Sequence, residues 1–169
     1  MAAKSEVGST KVAPQIATPQ DDTLVITRTF DAPRNLVWQA WTQSAHLMKW
    51  SCPQECSMLL AESDLRVGGK WRVGMREPDG EEAFMHGEYL EIEAPWRLVM
   101  THGWEDSKLH PGHMTQISVQ LFENDGRTTM IFTQTKLPTI ASRDGHGEGW
   151  NSAFESLENY ICEMQKENA

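Results

Sequence analysis

Four polar side chains sit where strand alternation would turn them toward apolar neighbours. Arg28 shares a face with Leu24, Ile26 and Phe30, and His102 with Leu98, Met100 and Trp104. Gln134 shares one with Met130 and Phe132, and His86 with Phe84 and Leu90. In a strand, residues two apart point the same way. A guanidinium is the natural bidentate partner of a carboxylate, while imidazole and carboxamide groups can donate or accept. Together these four could orient a mostly apolar ligand, with Arg28 facing an acid group. The competing reading is that each is an edge residue, or that they satisfy one another. The alternation slips around Gly87, where a bulge is expected, so the placement of His86 is the weakest of the four.

Aromatic and thioether side chains would form the wall. The chain has seven tryptophans. Trp50 and Trp104 fall near loop ends and suit a pocket rim, whereas Trp150 and Phe154 lie on the last helical segment. Met75 and Met100, with Met48 and Met85, could supply an adaptable surface. Core packing is the alternative for all of them.

Other chemistry finds little support. Cys52 and Cys56 are spaced C-x3-C, Cys162 is distant, and His110 and His113 flank a Pro-Gly pair. No second pair completes a zinc pattern, so neither a metal nor a cofactor is expected. There is no G-x-S-x-G, Walker A or G-x-G-x-x-G motif. No catalytic residue is assigned.

The elements that must position these residues can be read from periodicity. Thr23 to Phe30 alternates as a first strand. Pro33 suits a helix start, Leu36, Val37, Ala40 and Trp41 give that helix an apolar side, and Ser44 can cap a second short helix ending near Trp50. Strand signals follow at 56–63, 70–76, 81–93, 97–104, 115–121 and 128–135. Pro78-Asp79-Gly80 and Asn124-Asp125-Gly126 mark tight turns. Trp150, Ala153, Phe154, Leu157, Ile161 and Met164 recur at helical spacing, predicting a long helix over about 145–165 with the glycines at 145, 147 and 149 leading in. Short turns imply antiparallel pairing. The sum is an α+β domain over 23–166: a curved antiparallel sheet of six to seven strands wrapped around a C-terminal helix. Residues 1–22, small, polar and proline-containing, are expected to be a flexible leader.

The totals narrow the partners. A formal net charge of −9 with no basic cluster argues against nucleic acid. No apolar run reaches the ~18 residues of a membrane span. Residues 1–20 lack the apolar stretch of a signal peptide, and three cysteines cannot all pair, which fits free thiols in the cytoplasm.

Several stretches together resemble one family. Thr27-Arg28-Thr29-Phe30-Asp31-Ala32-Pro33, then Val37-Trp38, Trp50 and Pro53, resemble the opening of the activator of Hsp90 ATPase homolog 1-like family. Asp64-Leu65-Arg66-Val67-Gly68-Gly69-Lys70-Trp71-Arg72 is similar to its most distinctive internal stretch, and Gly87-Glu88-Tyr89, Arg97-Leu98-Val99 and Gly149-Trp150 with Leu157 fit as well. The likeness spans about residues 23–163. It implies the helix-grip fold of the START and Bet v 1-like superfamily, in which a bent sheet grips the C-terminal helix around a cavity. One departure is that Ser51 and Cys52 follow Trp50 where the family often has a second tryptophan before its proline.

The expectation is therefore a domain that binds a small, largely hydrophobic molecule between sheet and helix. A different class is an Hsp90-associated, co-chaperone-like interaction protein, which would give a role in stress response. In the eukaryotic co-chaperone a separate N-terminal domain contributes to Hsp90 binding, and residues 1–22 are too short to be one. A third reading is a cyclase- or hydrolase-type enzyme acting on an aromatic or polyketide-like substrate. Sheet edges leave room for a homodimer.

Overall fold

The computed structural model describes residues 21–168. Chain order is β1 (Leu24–Phe30), α1 (Arg34–Thr42), α2 (Ser44–Leu47), β2 (Ser57–Ser63), β3 (Lys70–Arg76), β4 (Glu82–Glu93), β5 (Arg97–Trp104), β6 (Thr115–Asn124), β7 (Arg127–Thr135) and α3 (Ile140–Glu167). The seven strands form one antiparallel sheet in the order β1-β7-β6-β5-β4-β3-β2. The sheet curls around α3, and α1 packs against α3, β6 and β7.

Alternation explains the packing. On β6, Thr115, Ile117, Val119 and Leu121 are buried while Gln116, Ser118 and Gln120 between them are only partly so. On β7, Thr128, Met130, Phe132 and Gln134 are the buried set. The β6–β7 hairpin turns at Asp125-Gly126, both with positive φ (52° and 77°), the twist that a two-residue turn needs.

Two expectations about elements need correction. The long helix starts at Ile140, several residues before the first glycine, because Thr139 caps it: the Ser142 N–H donates to Thr139 Oγ1 at 3.0 Å. The glycines at 145, 147 and 149 are thus inside the helix. The irregularity on β4 is not at Gly87 but between Tyr89 and Glu91. Gly87 is needed for a different reason. A Cβ there would lie 1.8 Å from the Thr101 carbonyl oxygen and 2.5 Å from the Trp71 indole nitrogen, so the close approach of those groups admits only glycine.

Most of the expected leader, residues 1–20, lies outside the described residues. Asp22 belongs to the domain, since its carbonyl accepts the Leu137 N–H at 3.0 Å.

Candidate functional site

The space between sheet and α3 has a filled end and a hollow end. At the filled end, Trp41, Trp50, Phe132, Trp150 and Phe154 form a continuous aromatic cluster with ring centroids 4.8–6.3 Å apart. Leu157 and Ile161 extend it along α3. The hollow end holds a cavity of about 680 Å³ that opens to solvent. Its floor and walls include Met75, Met85, His102, Trp104 and Trp150.

The helix makes the hollow. Ser142, Gly145, His146, Gly149, Trp150 and Ala153 line it, and these positions share one face of α3. A Cβ on Gly145 would meet nothing within 4 Å, and one on Gly149 only Pro53 at 3.9 Å. Small residues on this face leave open what larger ones would fill.

His102 stands on the cavity wall and is 1% exposed. Its environment follows from strand register. His102 on β5 pairs with Thr115 on β6, and Gln134 on β7 pairs with Ile117, two residues further along β6 on the same face. The Trp150 indole N–H donates to Gln134 Oε1 at 2.9 Å, which fixes the amide. Gln134 Nε2 then donates to Thr115 Oγ1 at 2.9 Å and lies 3.5 Å from His102 Nδ1. The Thr115 hydroxyl donates to the His102 carbonyl at 3.1 Å. With the Gln134 amide N–H facing it and the Thr115 proton already given to the carbonyl, Nδ1 is taken as the accepting nitrogen, which leaves the proton on Nε2. That Nε2 is buried and has no hydrogen-bond partner. Burial, and then the neighbouring His146, push the His102 pKa down to about 3, so the ring is neutral.

His146 is held on both sides. Its Nδ1–H donates to the Ser142 carbonyl at 2.7 Å, and its Nε2 accepts the Trp104 indole N–H at 3.1 Å. Burial lowers its pKa too, and the Ser142 carbonyl partly opposes that shift. The ring stacks edge-on to His102, with centroids 5.7 Å apart.

Of the residues expected to form the site, Met75, His102, Trp104 and Trp150 line the cavity. Gln134 stands just behind the wall, holding His102 and Trp150. The others lie elsewhere. Arg28 is on the expected face of β1 but does not reach the cavity; it meets Glu158 at 3.4 Å and the Asn151 carbonyl at 3.2 Å on α3. Helix α3 lies over that part of the strand and takes the guanidinium. His86 is on the outer face, because the buried residues of β4 are Met85, Gly87 and Tyr89. Trp50 and Met100 border a small void of about 30 Å³ in the core, and Phe154 is fully buried in the aromatic cluster.

Sequence reasoning missed His146 and passed over Thr115. His146 lies four residues before Trp150, one helical turn along the same face. Gly145, Gly147 and Gly149 around it disfavour a helix and mask that signal. The thiols of Cys52 and Cys56 also line the cavity. Burial is the first cause of a raised pKa in both, and Cys52 reaches about 11. All three cysteines are free. Among the described residues no cluster of His, Cys, Asp and Glu could hold a metal ion, and no helix is long and apolar enough to cross a membrane.

A curled antiparallel sheet closed on a long C-terminal helix, with a cavity between them, defines the helix-grip class. Within that class, the model of the activator of Hsp90 ATPase homolog 1-like protein family matches residues 31–161, and the chain belongs to that family. A protein from Nitrosomonas europaea is similar in structure at 25% identity and a TM-score of 0.72, covering 86% of this chain and 97% of that one. A protein from Arthrobacter aurescens is similar at 25% identity and a TM-score of 0.74, covering 90% and 92%. An HSP90 activator from Plasmodium falciparum shares the fold at 23% identity and a TM-score of 0.54, over 69% of this chain and 74% of that one. No curated protein matches the chain.

Proposed function

We propose that the protein binds a small, largely apolar molecule in the cavity between β-sheet and α3, with an acceptor atom of that molecule on His102 Nε2. The observation that carries this reading is a cavity of about 680 Å³ walled in part by His102, whose buried Nε2 has no protein partner; the rings of Trp71, Trp104, His146 and Trp150 surround the imidazole, so an acceptor reaches Nε2 as they give way. Leaving a buried donor unpaired costs on the order of 1–3 kcal/mol. A volume of this size falls within the range of small-molecule pockets. The helix adds a second cost, since each glycine in its interior is worth about 1 kcal/mol less than alanine. A site that served only stability would have neither feature.

Binding is favoured over catalysis. Both nitrogens of His146 are committed to protein groups, and the neutral His102 offers a donor with no second proton carrier beside it on the inner wall. The Hsp90-directed reading rests on the family name and shared fold alone. The free thiols fit a reducing compartment.

The test is a thermal-shift and fluorescence screen with uncharged bicyclic aryl ketones and lactones, read alongside the imidazole ¹⁵N spectrum. Binding should raise the melting temperature by mass action and move the His102 Nε2–H resonance. His102→Phe should lose binding by roughly tenfold, the value of one buried hydrogen bond, while keeping the fold. If no ligand shifts the wild type, or if His102→Phe binds as well as wild type, this reading fails.

A further inference from the structure

We propose that the cavity selects a cationic amphiphile: an apolar body whose acceptor reaches His102, with a protonated amine at the mouth facing Glu55 and Glu77. This deepens the cavity-binding reading above and rests on it.

The charge distribution around the opening is one-sided. Glu55 and Glu77 both line the cavity and are exposed. Neither side chain has an ion-pair or hydrogen-bond partner among the described residues. No lysine or arginine is among the lining residues. The arginines on the strand that ends before Glu77 are engaged elsewhere: Arg76 pairs with Glu82 at 2.8 Å, and Arg72 with Glu105 at 2.6 Å, while Lys108, between the lining residues Ser107 and Leu109, is exposed and is not itself a lining residue. Arg28, the group that could have received a carboxylate, is tied to α3.

The carboxylates act on one spot. Cys56 stands on the same wall, and after burial its thiol is held up by Glu55, then Glu77, then Asp79. Negative potential from three side chains therefore converges at that part of the cavity. A field in a concave, partly apolar site is less screened than one on an open surface, and it raises the local concentration of cations.

Exposed acidic side chains alone would not make a site. The independent sign of a ligand is at the inner wall of the same cavity: the His102 imidazole, 1% exposed, with Nε2 unpartnered. A donor inside and uncompensated carboxylates at the opening ask for an acceptor at one end of the ligand and a cation at the other. An anionic ligand would meet the carboxylates without a compensating guanidinium. On the loop side the opening is bordered by His110 and His113, and His113 Nε2 is 2.6 Å from the Lys136 carbonyl, to which it can donate.

The experiment uses the full chain and three probes with one body: a naphthyl ethyl ketone carrying on its far ring an aminoethoxy, a methoxyethoxy or a carboxymethoxy chain. Dissociation constants are measured near pH 8, where an unperturbed histidine is neutral, at low and at high salt. The ammonium probe should bind roughly three- to tenfold tighter than the neutral one at low salt, and the carboxylate probe weaker by a similar factor. High salt should compress the spread. The double substitution Glu55→Gln with Glu77→Gln, at exposed positions, should bring all three constants to that of the neutral probe.

Equal affinity of the three probes for wild type would overturn the charge preference and leave the cavity reading standing. A charge order that survives the double substitution would overturn the assignment to Glu55 and Glu77. If none of the three binds, while the aryl ketone screen also fails, the cavity reading falls and this inference with it.

Discussion

The two ends of helix α3 solve opposite problems with one backbone. From Phe154 onward the inward positions are Phe154, Leu157, Ile161 and Met164, each 5% exposed or less, and the sheet closes on them. Toward the start, the inward positions are Ser142, Gly145, His146 and Gly149, and a cavity remains. The sheet does not differ in kind between the two ends; both are lined by alternating inward residues of antiparallel strands. What differs is side-chain volume on the helix. The filled end supplies stability, and the hollow end gives some of it up, because glycine in a helix interior and a buried unpaired donor are both unfavourable.

Three perturbations test that contrast, in decreasing order of expected effect. Phe154→Ala removes a fully buried ring from the filled end. It should lower stability by about 3–5 kcal/mol, the usual range for such a truncation, measured by urea unfolding. A loss below about 1 kcal/mol would mean that this end is not tightly packed.

Acid should act on the hollow end. His102, at about 3, and His146, also lowered, have folded pKa values below the ordinary 6.5. The unfolded chain therefore binds protons that the folded one refuses. Stability from both groups is full above the unfolded value near 6.5. It falls as pH drops toward the folded values, by up to about 1.4 kcal/mol per pH unit for each group. His102→Phe should flatten the profile between pH 6.5 and about 3. An unchanged slope would show that His102 is not held neutral.

The smallest effect separates space from strain. Gly149→Ala should stabilise by about 0.5–1 kcal/mol through helix propensity, because its Cβ would meet only Pro53 at 3.9 Å. Gly149→Leu should instead reduce ligand uptake while the protein stays folded, by displacing volume from the cavity. Destabilisation by the alanine variant would place the glycine in close packing.

Much of the architecture was legible in the chain, and the reasons are local. Alternation on β6 and β7 marks their buried faces, Asp125-Gly126 marks their turn, and the spacing from Trp150 to Met164 marks the gripped face of α3. The site was only partly legible. Alternation and helical spacing put Met75, His102, Trp104 and Trp150 on inward faces, and all four line the cavity. Arg28 was assigned to the right face of its strand, yet a face is shared by everything packed on it, and Glu158 and Asn151 took the guanidinium. His86 does share a face with Phe84, but it is the outer one: Met85, Gly87 and Tyr89 point inward, and the Phe84 ring lies under the Arg72 guanidinium. His146 was hidden by helix-breaking residues that here sit inside a helix.

The sequence by itself determined periodicity: which residues share a face, where turns fall, and that one long amphipathic helix would need a sheet to cover it. Those are properties of neighbours along the chain, within reach of a few covalent bonds. Only the tertiary structure decided which of the inward polar groups found partners. The network from Trp150 through Gln134 to His102 joins one helix and two strands, and the emptiness beside it is set by how α3 lies across the sheet. A hydrogen bond or a void is a relation among distant segments in three dimensions, so no single stretch of chain encodes it.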